Sequence, residues 1–178
     1  MLRLFVGIAL PPEQKLALSL LAVGLPGARW VDAGNYHLTL RFIGEVDEGT
    51  AADIDAGLAP IEAPSFDLSV AGVGHFGTRM LWAGVERSPP LVHLQGKVEA
   101  ALIRLGLEPE SRRYTPHVSL ARLHNPPVAR LQEYLAAHAL FRAAPLKVGK
   151  FSLVASYLSK SGAIYEDQAD YVLGGRAK

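Results

Sequence analysis

There is no cysteine among the 178 residues, which removes disulfides, thiolate metal sites and a cysteine nucleophile together. Nor does any run approach the ~20 apolar residues that a membrane-crossing helix needs, so no membrane partner is expected. The start of the chain, Met1-Leu2-Arg3-Leu4-Phe5-Val6, lacks the charged leader, long apolar run and small-residue cleavage site of a secretory signal. A cytoplasmic protein is the expectation. An excess of charge is missing too: Lys+Arg 18 against Asp+Glu 17 leave a formal charge of +1. That balance opposes the broad basic surface of a non-specific nucleic-acid coat, yet leaves room for a small basic pocket that takes one phosphate. Low-complexity segments and flexible linkers are absent as well. With 49% hydrophobic and 20% charged residues, the chain reads as one globular domain, residues 1–178, built as two small lobes that share a core.

What is present is a mixture of strand and helix signals. Leu2 to Leu10 reads as a strand ended by Pro11-Pro12, and Pro12 suits the first turn of a helix. Leu16, Leu20 and Val23 mark one side of that helix. Asp47 or Thr50 is placed to cap a short helix through Leu58. Phe66 to Phe76 and Met80 to Val85 read as strands of a hairpin around Gly77-Thr78. Ser88-Pro89-Pro90 opens a long helix with Leu91, Leu94, Val98, Leu102 and Leu105 at helical spacing. Pro126-Pro127 opens another, with Val128, Leu131 and Leu135 inward. Phe141 to Val148, Phe151 to Leu158 and Ile164 to Leu173 read as closing strands. The alternation is too irregular for a doubly wound parallel sheet, so an α+β fold with mostly antiparallel pairing is expected.

Two strand-like runs carry the chemistry. In His37-Leu38-Thr39-Leu40-Arg41-Phe42, alternation puts His37, Thr39 and Arg41 on one face and Leu38, Leu40 and Phe42 on a core face. In His117-Val118-Ser119-Leu120, His117 and Ser119 again share a face. Both runs lead into the same series of elements: a helix, an apolar strand (from Phe66 or from Phe151) and a hairpin. A duplicated lobe with a pseudo-twofold axis would set the two histidine strands face to face across a cleft.

Two imidazoles near their ordinary pKa of ~6.5 can serve as base and acid at the two ends of an in-line displacement at phosphorus. Hydroxyls two residues along each strand can donate to non-bridging phosphate oxygens, and Arg41 or Arg122 can offset the remaining charge. Opening an RNA 2′,3′-cyclic phosphate is such a reaction, and it needs no cofactor. Neither run has a carboxylate on its histidine face, so no metal site is expected. Phe76, in Gly74-His75-Phe76-Gly77, is a candidate for stacking a base, and His75 is placed to line the cleft. Trp30 and Trp82 are expected in the core.

The pair His37-Leu38-Thr39-Leu40 and His117-Val118-Ser119-Leu120 resembles the two HxTx signatures of the 2H phosphoesterase superfamily. Arg3 to Ile8, His37 to Val46, Leu81 to Val85, Tyr114 to Arg122 and Phe151 to Leu158 resemble its RNA 2′,3′-cyclic phosphodiesterase branch, also called 2′-5′ RNA ligase. The resemblance implies a bilobal α+β fold, with antiparallel sheets flanking a central cleft and helices outside. It implies metal-independent opening of the cyclic phosphate to a 2′-phosphomonoester; weak ATP-independent 2′-5′ ligation is expected beside it, where a 5′-hydroxyl takes the place of water. It implies His37 as proton donor, His117 as proton acceptor, Thr39 and Ser119 as their catalytic partners, and Arg122 on the phosphate. Ser119 departs from the usual threonine: it keeps the donor and loses the methyl group that restricts its rotamer. The expected partner is RNA with a 2′,3′-cyclic phosphate end, or a nucleoside 2′,3′-cyclic phosphate, bound by a monomer. An RNA-end binding protein without turnover is the alternative, and product analysis separates the two.

Overall fold

The computed structural model describes residues 1–174. In chain order the elements are β1 (Leu2–Ala9), α1 (Pro12–Ser19), β2 (Ala28–Trp30), a 3₁₀ turn (Ala33–Asn35), β3 (His37–Val46), α2 (Glu48–Leu58), β4 (Phe66–Leu68), β5 (Val70–Phe76), β6 (Met80–Val85), α3 (Pro89–Arg104), β7 (His117–Leu123), α4 (Val128–Ala137), β8 (Leu146–Val148), β9 (Lys150–Ser159) and β10 (Gly162–Val172). The strands form two antiparallel four-stranded sheets, in the orders β10-β9-β1-β3 and β2-β7-β6-β5, and β4 pairs with β8 in a small third sheet. The α+β, antiparallel architecture expected from the sequence is what forms.

The connectivity crosses over. The sheet that holds β3 and its histidine is completed by the hairpin β9–β10, which comes after the second histidine motif. The sheet that holds β7 is completed by β5–β6, which comes after the first. The buried apolar side chains make one contiguous cluster drawn from strands of both sheets and all four helices. Among the described residues no helix is long and apolar enough to cross a membrane.

Helix starts are where the local chemistry puts them. Asp47 accepts from the Thr50 backbone N–H at 2.6 Å and so caps α2. Prolines occupy the first turns of α1 and α3, where no backbone donor is lost. In α3 the expected stripe is buried at Leu91, Leu94, Val98 and Leu102, while Leu105, just past the helix, is 40% exposed.

Several faces differ from the sequence expectation. Leu16, Leu20 and Val23 are exposed, and Gln14, Leu18, Leu21 and Leu25 point inward. Leu16 lies on the outer side of α1, opposite the buried Gln14 and Leu18, and because α1 ends at Ser19 after two turns, Leu20 and Val23 no longer follow a helical repeat. Gln14 is tolerated inside because its Nε2 donates to the Ala144 carbonyl at 3.0 Å. On α4, Val128 is exposed and Leu131 and Tyr134 face inward. The run from Phe66 to Phe76 breaks at Ser69, because β4 pairs with β8 while β5 pairs with β6. Within Phe141–Val148 only Leu146–Val148 is strand, with an isolated bridge from Arg142 to Ala71.

Candidate active site

Both histidine strands carry the same irregularity at the same place. In β3, Thr39 pairs with Gly7 and Arg41 with Val6, which leaves Leu40 as an extra residue. In β7, Ser119 pairs with Trp82 and Ala121 with Leu81, which leaves Leu120 extra. Each is a β-bulge, and a bulge shifts the residues beyond it to the other face. The ladder cannot satisfy the bulged carbonyls, and other groups do: Gln95 Nε2 donates to Leu40 O at 3.3 Å, and the Val31 N–H to Leu120 O at 2.8 Å.

The bulges reassign side chains. Simple alternation puts His37, Thr39 and Arg41 in one row; instead Leu40 and Arg41 are both buried and Phe42 is 48% exposed on the cleft. The core role expected of Phe42 is therefore corrected, as is the shared face of Arg41. The Arg41 guanidinium donates to Phe42 O at 3.0 Å and to Glu108 O, and it pairs with Glu99 at 3.0 Å. It borders the larger of two cavities in the cleft, with its charge paired to Glu99 and one donor on each terminal nitrogen held by a backbone carbonyl. In β7 the equivalent shift brings Arg122 out on the side of Ser119, where both line one cavity with His37.

The two imidazoles are fixed in the same way. His37 Nδ1 lies 2.8 Å from Asn35 O, and His117 Nδ1 lies 2.6 Å from Thr115 O, each carbonyl two residues before its histidine. A carbonyl only accepts, so in each neutral ring Nδ1 carries the proton and Nε2 presents a lone pair. Beyond that their surroundings diverge. His37 stacks on Phe5 at 4.5 Å between ring centroids and meets the edge of Tyr165 at 5.1 Å, and its Nε2 is 2.9 Å from Thr39 Oγ1. His117 meets Phe76 edge-on at 5.0 Å with Trp82 at 5.8 Å behind. The Ser119 hydroxyl donates to Met80 Sδ at 3.3 Å, not to His117.

Burial lowers both imidazoles below the ordinary 6.5. The carbonyl bonds oppose the shift in each, and His117 and Lys15 lower His37 further by charge repulsion. The unliganded site therefore favours two neutral rings, and a bound phosphate would draw both toward the cation.

The two adjoining cavities share Thr39 and Phe42. The smaller, ≈ 410 Å³, is lined by His37, Ser119, Arg122, Arg3 and Tyr165. The larger, ≈ 680 Å³, is lined by His117, Phe76, Tyr114, Arg79, Arg112 and Arg113. Phe76 keeps 41% of its surface exposed there. His75 lines neither cavity; its Nδ1 closes on Gly77 O at 2.6 Å within the hairpin. Trp82, expected in the core, is only half-buried and lies across Gly74, where a Cβ would come within 2.3 Å of its ring. Trp30 is likewise half-buried, and packs against the core beside Tyr134. His93 lines a separate cavity with Ile61 and Lys97. Among the described residues no three His, Cys, Asp or Glu side chains gather in a metal-ligand group.

Sequence reasoning gave no site role to Phe5, Gly7, Asn35, Thr115 or Tyr114. Tyr114 Oη donates to Thr39 O at 3.1 Å and ties the approach to β7 onto β3. A recurring residue two positions before each histidine is no signal for the carbonyl contact, because any residue supplies a carbonyl.

The sequence profile of the 2′-5′ RNA ligase superfamily matches residues 27–158, and the chain belongs to that superfamily. It is 34% identical over 160 residues to an RNA 2′,3′-cyclic phosphodiesterase of Aeropyrum pernix, covering 85% of this chain and 89% of that protein. It is 34% identical over 128 residues to one from Geobacillus stearothermophilus, covering 66% of this chain but 41% of that longer protein. Among solved structures, Escherichia coli LigT complexed with 3′-AMP superposes with a TM-score of 0.80 at 25% identity, over 97% of this chain and 98% of that one.

Proposed function

We propose that the protein opens RNA 2′,3′-cyclic phosphate ends, or nucleoside 2′,3′-cyclic phosphates, to 2′-phosphomonoesters by two-histidine acid–base catalysis without a metal. The observation that carries this reading is the pair of imidazoles, each locked through Nδ1 to a backbone carbonyl, with the Nε2 of His117 unpartnered among the described residues and that of His37 held only by the Thr39 hydroxyl. The relatives named RNA 2′,3′-cyclic phosphodiesterase support the choice of substrate.

Water enters on the His117 side, and His117 Nε2, which has no protein partner among the described residues, takes its proton as the oxygen attacks phosphorus. The P–O3′ bond breaks on the far side. His37, protonated when the anion is bound, gives its Nε2 proton to O3′, leaving a 3′-hydroxyl and a 2′-phosphate. Thr39 and Ser119 supply hydroxyl donors for the non-bridging oxygens, and Arg122 offsets the charge that builds up there. With a 5′-hydroxyl in place of water as the attacking group, the same groups in the same roles form a 2′-5′ linkage without ATP, the P–O3′ bond breaking as before. That reaction is weak unless pairing or stacking raises the local concentration of the second end. The continuous core supports reading the chain as one bilobal domain.

The test is product analysis on an oligonucleotide ending in a 2′,3′-cyclic phosphate, with excess chelator. A 2′-phosphate product in chelator is expected. A strict need for divalent metal, a 3′-phosphate product, or binding without turnover would refute the reading.

A further inference from the structure

We propose that Arg3 is a second phosphate-binding residue, which closes with Arg122 on the anion as a two-guanidinium clamp; this rests on the cyclic phosphodiesterase reading. The starting point is the repeated bulge. Counting from each histidine past its bulge, Arg122 on β7 occupies the place that Phe42 occupies on β3. The first motif therefore lacks an arginine where the second has one.

Arg3 fills that gap from the neighbouring strand. It lies two residues before Phe5 on β1, so it shares the face on which Phe5 stacks against His37. Its guanidinium carbon sits 5.1 Å from the centroid of the Phe42 ring, a cation–π contact that fixes its direction without using its N–H donors. Both Arg3 and Arg122 line the smaller cavity with His37, Thr39 and Ser119. Both also act by charge on the Tyr165 phenol, so their fields meet at one point of that cavity.

Neither arginine is committed elsewhere. Arg41, Arg130 and Arg142 each pair with a glutamate, whereas among the described residues Arg3 and Arg122 form no ion pair. Glu45 is the register partner of Arg3 across β1 and β3, and even it does not close on Arg3. Two free guanidiniums exceed what a monoanionic cyclic diester needs. They match the dianionic phosphomonoester that hydrolysis leaves, and the equatorial oxygens on which charge collects as the new P–O bond forms. Phe42 then has a role of its own: it aims Arg3.

The probe is inorganic phosphate at pH 8, where it is a dianion, titrated calorimetrically into the full chain. Turnover of a nucleoside 2′,3′-cyclic phosphate is measured alongside. Arg3→Gln should weaken phosphate binding by about tenfold, the effect of losing one charge-assisted contact at an exposed position. Arg3→Lys should recover part of that loss, and Arg3→Gln with Arg122→Gln should abolish binding. Phe42→Leu, which leaves Arg3 in place but removes its support, should lie between wild type and Arg3→Gln. In turnover, Arg3→Gln should raise KM and flatten its salt dependence, because one charge–charge contact is lost, while the pH limbs stay put, since no titrating group is removed.

Arg3→Gln with wild-type phosphate affinity and KM would overturn the proposal. So would an equal loss in Arg3→Lys, which would make the effect structural. If the wild type binds phosphate through Arg3 yet turns over no cyclic phosphate, the functional reading fails and the anion site stands. If turnover is normal and indifferent to Arg3, the clamp fails and the functional reading stands.

Discussion

Adding one methyl group at Gly7 should cost both stability and rate, and the size of each loss is set by the packing around β1. A Cβ built there lies 2.9 Å from Leu38 O, 3.2 Å from Phe5 Cε2 and 3.4 Å from His37 Cδ2. The first is a backbone atom and cannot swing away, so β1 and β3 must part by a few tenths of an ångström beside the bulge. Overpacking of this kind costs about 1–3 kcal/mol. Restricting the unfolded chain returns about 0.4–1 kcal/mol, so Gly7→Ala should be destabilised by about 1–2 kcal/mol. For a chain of this size that lowers Tm by roughly 3–6 °C. The strained contacts also border the His37 ring, the acid of the proposed mechanism. A 1 Å misplacement is worth ~10²-fold in rate, so a shift of a few tenths should reduce kcat by about three- to tenfold. Gly96→Ala is the control. Gly96 lies inside α3 with nothing within 4 Å of its Cβ position, and there alanine should stabilise by up to about 1 kcal/mol at unchanged rate. Thermal melts and steady-state turnover read both variants. Wild-type stability and rate in Gly7→Ala would refute the claim that this glycine seats His37.

Other outcomes rest on the same geometry. His37→Ala and His117→Ala should stay folded by circular dichroism and each lose on the order of 10²–10⁴-fold in kcat, with Thr39→Ala and Ser119→Ala losing less. Glu99→Gln should lower stability by about 1.5–3 kcal/mol in urea melts, because it leaves the Arg41 cation, 8% exposed, with carbonyls alone. Both imidazoles are lowered from 6.5 in the folded chain, so below that value the unfolded chain binds more protons and folding stability falls with pH. Added phosphate should flatten that fall, and replacing both histidines should remove their share of it. The pH–rate curve should be a bell whose limbs lie at lower pH for kcat/KM, which reports the free site, than for kcat.

Much of the site was legible because its residues are close in sequence. His37 with Thr39, and His117 with Ser119, announce themselves by two-residue spacing on apolar strands, and the local signals for β1, α3 and the last hairpin were equally direct. The bulges were not legible. One inserted residue with no glycine or proline to mark it, Leu40 or Leu120, looks like continuous strand. Strict alternation therefore gives Arg41 an open place in the site and Phe42 one in the core, whereas Arg41 is buried at the cavity wall and Phe42 is exposed on the cleft. It also puts Arg122 on the face away from His117, and only the bulge reconciles that residue with the cavity it lines. The short helices misled for a different reason: two turns of α1 hold too few residues for a stripe to be told from chance. Which hairpin completes which sheet depends on β9 pairing with β1 and β6 pairing with β7, strands separated by whole helices and loops, which no short window of sequence contains.

The crossed sheets bear directly on why two similar half-motifs can do different work. β3 cannot move relative to β7 without disturbing a sheet completed by the other half of the chain, and the Tyr114 hydroxyl on Thr39 O adds a direct tie between them. In-line displacement asks for such fixed separation of acid and base, since binding energy otherwise goes into arranging them. With positions held, the division of labour falls to the neighbours. His37 sits between Phe5 and Tyr165 with a threonine hydroxyl on its Nε2 and Lys15 repelling its proton. Burial and these charges lower its pKa, and a bound anion would act in the opposite direction, which on the proposed mechanism suits an acid charged with substrate present. His117 is held on one side by Thr115 O, and its Nε2 is free of the Ser119 hydroxyl, which is turned to Met80. That leaves a lone pair open on the side of the larger cavity, where water or an incoming hydroxyl has room. On the proposed mechanism, the Thr39 and Ser119 difference is then part of the chemistry: a hydroxyl kept off the base leaves the base unencumbered. Ser119→Thr tests that step, because a methyl-bearing side chain has fewer rotamers available to stay on Met80. Slower turnover with an unchanged Kd for phosphate is the expected result, and faster turnover would show that the serine is merely tolerated.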